Sequence, residues 1–295
     1  MDSRFDPSLL ARYGNLSLIA RMVVEGFLSG VHKSPFKGFS VEFAEHRQYY
    51  PGDEIRHIDW RALGKTDRYY IKEHEEETNL QAHLLLDASG SMAYQGKDIS
   101  KFLYAQYVAA SLAYLMLHQR DSVGLTVHDH AVRGVVPPRS HSKQLPHLLH
   151  VLEQSRPAGE GRLAPLWQRF AGQLRRRGMV VILSDCFEPL PLVIHALRHL
   201  RHRGQEVLLL HVLAPEEIDF PFERVSQFRS LEQPADQALV DSRQARDEYL
   251  SNFGTFCREL RAAAAGMQID YHVLRTDTPV DRALGAYLNK RRQQG

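Results

Sequence analysis

From residue 82 onward the chain alternates short, wholly apolar runs with longer amphipathic stretches. This alternation restricts the fold more than any other feature of the sequence. "AHLLLD" (82–87) and "GMVVILSD" (178–185) are too short for helices and have no polar face. Runs of this kind suit strands covered on both sides. Between them, "ISKFLYAQYVAASLAYLMLHQR" places Phe102, Ala105, Ala109, Leu112 and Met116 at helical spacing. Further strands are predicted in 121–129, 131–139, 205–215 and 267–276. Further helices are predicted in 142–155, 164–177, 191–204, 242–266 and 279–292. Gly204 just past one helix and Pro279 at the start of another are ordinary helix punctuation. The pattern predicts an α/β fold, a doubly wound and mostly parallel sheet with helices on both faces.

Residues 1–81 read differently. "NLSLIARMVVEGFLSG" is one amphipathic helix, capped by Asn15, with Leu16, Ile19, Val23 and Phe27 on one face. The stretch after it, 36–78, mixes aromatic and β-branched residues around a Pro51-Gly52 turn and predicts short strands. It is too small to build its own core. The expected organisation is an N-terminal appendage, 1–81, packed on an α/β domain, 82–295.

Composition removes several classes. The 295 residues carry a net charge of +2, which argues against bulk nucleic-acid binding. Two cysteines, Cys186 and Cys257, lack zinc or disulfide-framework spacing and fit a reducing cytoplasm. No run reaches the ~18 apolar residues of a membrane span, so membrane contact is expected to be peripheral at most. The N-terminus lacks the apolar segment of a signal peptide. There is no phosphate-binding G-x-x-x-x-G-K-[ST] loop, and Asp87 and Ser91 stand where a nucleophile elbow around Ser89 needs glycines.

The first apolar run ends in Asp87, followed by Ser89, Gly90 and Ser91. Ligand sites of parallel sheets lie at the carboxyl ends of strands. One carboxylate and two hydroxyls from one tight loop suit Mg²⁺, a hard cation that takes oxygen ligands. Asp185, at the end of the second apolar run, can reach the same point. The bland alternative is that the serines only cap a turn.

Here the sequence resembles a von Willebrand factor A-type domain with its metal-ion-dependent adhesion site. The D-x-S-x-S motif of that family matches Asp87, Ser89 and Ser91, and its later strand-end aspartate matches Asp185. More narrowly, "RQYYPGDEIRHIDW" resembles the R-x-Y-x-x-G-D-x-x-R-x-I-D-W signature of a bacterial MoxR-associated subfamily, with Arg47, Tyr49, Gly52, Asp53, Arg56, Ile58, Asp59 and Trp60 in register. The resemblance covers about residues 36–295. It implies a non-enzymatic module that works beside a MoxR-type AAA+ ATPase on a client protein complex. It also implies Mg²⁺ as the cofactor and Asp87, Ser89, Ser91 and Asp185 as metal residues.

One departure stands out. The threonine that such domains supply from a later loop is replaced by Gly161 in "AGEGRLAPL". Glu160 could provide a carboxylate instead, or Arg162 a guanidinium that makes a metal unnecessary. Arg47, Tyr49, Asp53, Arg56, Asp59 and Trp60 form either an ion-pair lattice holding the appendage or a partner-docking surface.

Other features carry less. His195, His199 and His202 share a helix face and read as a solvated basic stripe. His128 and His130 read as surface residues at a strand end. The cations at 175–177 and 290–292 read as helix C-terminal charges. The enzymatic alternative is a phosphotransferase or hydrolase using Asp87, which lacks a second nearby acid in its loop.

Overall fold

The computed structural model describes residues 5–31, 46–48, 70–72, 80–233 and 235–292. The chain forms two compact units, residues 1–27 together with 80–295, and residues 28–79. The N-terminal helices are α1 (Pro7–Leu10) and α2 (Leu16–Val31). Asn15 caps α2 as expected, its Oδ1 accepting the Leu18 N–H at 2.9 Å. Leu16, Ile19, Ala20, Val23 and Val24 of α2 are buried. The segment before α2 is tied to the far end of the chain, where the Val280 N–H donates to the Phe5 carbonyl at 3.2 Å. Residues up to Phe27 thus group with the α/β body, which differs from the 1–81 appendage expected from sequence. An amphipathic helix must bury its apolar face, and the large body offers the area to do so.

In the smaller unit, β1 (His46–Gln48) pairs antiparallel with β2 (Tyr70–Lys72), Arg47 facing Ile71 across the ladder. Tyr49, Asp53, Arg56, Asp59 and Trp60 lie outside the described residues.

The body is built on β3 (Gln81–Asp87), α3 (Lys101–His118), β4 (Ser122–His128), β5 (Val132–Arg139), α4 (Gln144–Gln154), α5 (Leu163–Gln173), β6 (Met179–Ser184), α6 (Leu190–His202) and β7 (Glu206–Leu213). It continues through α7 (Pro215–Asp219), β8 (Val225–Arg229), β9 (Gln237–Asp241), α8 (Ser242–Gly266), β10 (Asp270–Arg275) and α9 (Asp281–Arg292). The main sheet runs β5-β4-β3-β6-β7-β10. All its neighbours are parallel except β5, which pairs antiparallel with β4 at the edge. An edge position also accommodates Pro137 and Pro138, which cannot donate to a ladder.

Alternation along the strands serves two cores. Leu85, Val180, Ile182, Val207 and Leu209 face α5, α6 and α8 through Trp167, Val193, Leu197, Leu200 and Leu260. α3 and α4 pack together and α9 packs on α3, away from that cluster. α3 is buried over nearly all its length, which explains its uniformly apolar sequence. The predicted doubly wound α/β architecture is therefore present. α5 ends at Gln173, so Arg175–Arg177 follow the helix and do not lie in its last turn. The sequence reading missed the separate hairpin of β8 and β9, which pair only with each other.

Candidate functional site

In chain order within the body, the sheet runs third, second, first, fourth, fifth, sixth strand. The direction of winding reverses between β3 and β6, and such a switch point opens a crevice at the carboxyl edge. Asp87 ends β3. Leu86 pairs with Leu183, so Asp185 follows β6 on the adjacent strand. The topology thus brings together the two aspartates singled out from sequence.

The loop after β3 is held on three sides. The Ala88 N–H donates to the His128 carbonyl (2.6 Å), the Gly90 N–H to the Gly159 carbonyl (2.8 Å) and the Ala158 N–H to the Ala88 carbonyl (2.9 Å). Asp87 is fully buried. Its Oδ1 accepts the Ser89 N–H at 2.9 Å and its Oδ2 accepts the Ser184 hydroxyl at 2.6 Å. The Ser89 and Ser91 hydroxyls lie 3.0 Å apart. Burial and then the neighbouring Asp185 charge raise the Asp87 carboxyl well above the usual carboxylate range, against the hydrogen bonds from Ser184 and Ser89.

Asp185 has the opposite balance. Burial pushes its carboxyl up, but the Lys101 ammonium outweighs this and holds it below its ordinary value. Lys101 Nζ lies 2.7 Å from Asp185 Oδ2 and 2.6 Å from Glu217 Oε1. The Asp185 Oδ1 accepts the Phe187 N–H (3.1 Å), and its carbonyl is 2.9 Å from His211 Nε2. His211 Nδ1 lies 2.7 Å from the Tyr271 hydroxyl. The neutral ring therefore donates from Nε2 to Asp185 and accepts from Tyr271 at Nδ1.

Sequence reasoning missed Lys101, Ser184, His211, Glu217 and Glu232. One signal was available for Lys101. It is the first residue of α3, where a cation opposes the helix dipole, and it opens a helix that is otherwise apolar. The residues weighed as substitutes for the missing threonine are Glu160 and Arg162. Arg162 is largely exposed and lies 3.6 Å from exposed Glu160. The cation at the strand ends is Lys101, not Arg162.

Gly161 does lie against the serine loop. A Cβ there would sit 3.1 Å from Ser89 Cβ and 3.2 Å from Glu232 Oε1. The Gly161 N–H donates to Glu232 Oε2 at 3.1 Å.

A family model described as "Protein of unknown function DUF58" matches residues 45–255. The chain belongs to the DUF58 family.

Relatives include uncharacterized protein Mb1516 of Mycobacterium bovis and uncharacterized protein Rv1480 of Mycobacterium tuberculosis. Each is 30% identical over 224 residues, covering 73% of this chain and 68% of the relative. Among solved structures, BatB from Bacteroides thetaiotaomicron is 17% identical at a TM-score of 0.49, covering 72% of this chain and 98% of that one. The SpRpn10 VWA domain is 11% identical at a TM-score of 0.38, covering 70% and 94%.

In this DUF58 chain, Cys186 follows Asp185 with a left-handed backbone (φ 53°), uncommon for a side chain with a Cβ. The turn buries Cys186 and leaves Phe187 69% exposed at the rim. Burial, then the Asp185 and Asp87 charges, raise the Cys186 thiol well above its usual range, which keeps it unreactive. His128 is buried rather than on the surface, and its Nε2 accepts the Trp167 indole N–H at 3.2 Å. Among the described residues no group of three or more His, Cys, Asp or Glu is placed to hold a metal, the 195, 199 and 202 histidines included. No helix among them is long and apolar enough to cross a membrane.

Proposed function

We propose that this chain is a protein-interaction module without catalytic activity that receives an acidic side chain of a partner at the carboxyl edge between β3 and β6. The observation that carries the reading is the pair of hydroxyls, Ser89 and Ser91, 3.0 Å apart above a buried carboxylate at the topological switch point. Phe187, exposed two residues after Asp185, offers the aromatic anchor common in interfaces.

The donor set fits a hard divalent cation. Two hydroxyls and the Asp87 carboxylate are oxygen donors, and Asp87 uses two of its roughly four lone-pair sites in the bonds above. The buried, unpartnered Glu232 Oε1 beside this loop is a further oxygen without a donor among the described residues. In this reading Asp87, Ser89 and Ser91 hold Mg²⁺. Asp185, whose charge Lys101 already balances, is an outer, water-linked donor. Bound there, the ion would supply positive charge for the partner's carboxylate.

An acceptor role for Asp87 in phosphoryl transfer would call for a second acid free to handle the proton, and the neighbouring Asp185 is already paired with Lys101, which favours the interaction reading over the enzymatic one. The partners of this reading are a MoxR-type AAA+ ATPase and a client protein, met in the cytoplasm or at a membrane surface. Arg47, Tyr49, Asp53, Arg56, Asp59 and Trp60 are proposed as a second contact surface.

The test is copurification of tagged protein with the MoxR-type ATPase of its own cell, in Mg²⁺ and in EDTA, for wild type, Asp87→Asn and Ser89→Ala. Capture should need Mg²⁺ and fall in both variants. Equal capture by all three, with or without EDTA, would overturn the reading.

A further inference from the structure

The β8–β9 hairpin carries its tip onto the Ser89 loop. A Cβ on Gly90 would stand 2.3 Å from the Leu231 carbonyl oxygen, so glycine is what admits the tip. Glu232 follows. Its Oε2 takes the Gly161 N–H, and its Oε1 is buried with no hydrogen-bond partner among the described residues. That oxygen and the Ser89 side chain face the same small gap, since a single added atom on Gly161 would touch both. The tip is held in shape by Ser230, whose Oγ accepts the Glu232 and Gln233 N–H groups at 3.3 and 3.0 Å. Gln233 Nε2 donates to Glu160 Oε1 at 3.2 Å.

The hairpin is anchored through Phe228 of β8, and the tip itself is lightly held. Phe220, Phe222, Phe228 and Tyr249 stack together with ring centroids 4.6–6.0 Å apart. β8 and β9 pair only with each other, and Leu239 and Val225 are exposed. The tip contacts named above are polar and few. A buried carboxylate oxygen without a donor is an unfavourable arrangement unless something else satisfies it.

We infer that Leu231–Gln233 is an internal occupant of this site. Glu232 stands where a partner's carboxylate binds, and an acidic turn of a partner enters by displacing the hairpin tip. The inference rests on the reading above that the site takes an acidic residue. It adds the ligand's form, a turn carrying a glutamate, and the element that must move. Competition of this kind lowers apparent affinity by the fraction of molecules whose site is open.

The test uses a fluorescent peptide of residues 229–236, "RSLEQPAD", titrated by polarisation into full-length wild type, Glu232→Ala, and Glu232→Ala combined with Ser89→Ala, all in Mg²⁺. Glu232→Ala should bind the peptide about tenfold or more tighter than wild type. The double variant should lose the gain, and a peptide with alanine at the glutamate should not bind. Hydrogen exchange at the Gly161 amide, the donor to Glu232, should be faster in Glu232→Ala and slow again when peptide is added. Equal affinity for wild type and Glu232→Ala, equal binding of the alanine peptide, or no binding by any form overturns the inference. The parent reading fails separately, through ATPase capture that Asp87→Asn retains.

Discussion

Lys101 and Asp185, 84 residues apart, form a buried ion pair at 2.7 Å in which both side chains are about as hidden as core leucines. The ammonium also reaches Glu217, so one cation is shared by two carboxylates. Breaking a buried pair by removing one partner leaves an uncompensated charge and costs ~3–5 kcal/mol. Lys101→Met should therefore lower the urea midpoint sharply in EDTA. Mg²⁺ should restore part of the loss, because the freed carboxylate joins the proposed ion site. A midpoint that Mg²⁺ leaves unmoved would count against that ion site.

By the sequence resemblance, Gly161 stands where a threonine hydroxyl is expected. Ser89 Cβ cannot yield there, whereas the end of Glu232 can. Gly161→Thr is expected to cost about 1–2 kcal/mol in stability through crowding. It should also tighten Mn²⁺ binding by calorimetry, since it adds an oxygen beside Ser89. Unchanged Mn²⁺ affinity in a folded variant would mean that no ion is held beside Ser89.

Gly90→Ala places a methyl 2.3 Å from the Leu231 carbonyl and 2.9 Å from that of Gly159, both backbone atoms. The tip should leave the site at a cost of about 1–3 kcal/mol. Trypsin should then cut after Arg229 faster than in wild type, and unchanged cleavage would mean that the tip does not depend on this contact.

Three histidines, His83, His128 and His211, are held neutral, each at about 4, with burial the main cause. Their values are depressed below the unfolded value of ~6.5, so the unfolded chain binds more protons between those limits. The neutral-ring stability is thus complete above about pH 6.5 and lost as pH falls toward 4, by at most roughly 3 kcal/mol per histidine. Urea midpoints at pH 7.5, 6 and 5 should fall in that order, and His83→Leu should flatten the slope. Equal midpoints at pH 7.5 and 5 would contradict this account.

Trp167→Phe removes the donor to His128 Nε2 inside the α5–α6 core. A buried acceptor left unsatisfied costs about 1–3 kcal/mol. Thermal unfolding of the variant checks this, and an unshifted midpoint would mean that another group satisfies the ring.

Much of the fold was legible because the signals are local. "AHLLLD" and "GMVVILSD" state their own burial by lacking a polar face, and the helix from Lys101 does so by near-continuous apolarity. The 225–241 hairpin was missed because two five-residue strands around a turn carry little periodicity, and their exposed faces need no apolar pattern. His128 was misread for a related reason. A histidine at a strand end looks exposed until a tryptophan from another element covers it.

By itself the sequence determined the alternation of strands and helices, the two aspartates at strand ends and the serine loop after the first of them. These follow from side-chain periodicity and turn chemistry, which act over a few residues. Only the tertiary structure decided which charges meet there. The switch in winding between β3 and β6 brings Asp87 beside Asp185, the first turn of α3 swings Lys101 onto Asp185, and an inserted hairpin lowers Glu232 onto Gly161, 71 residues away. Electrostatic and hydrogen-bond partners are chosen by distance in space, and the chain's local pattern holds no record of that distance.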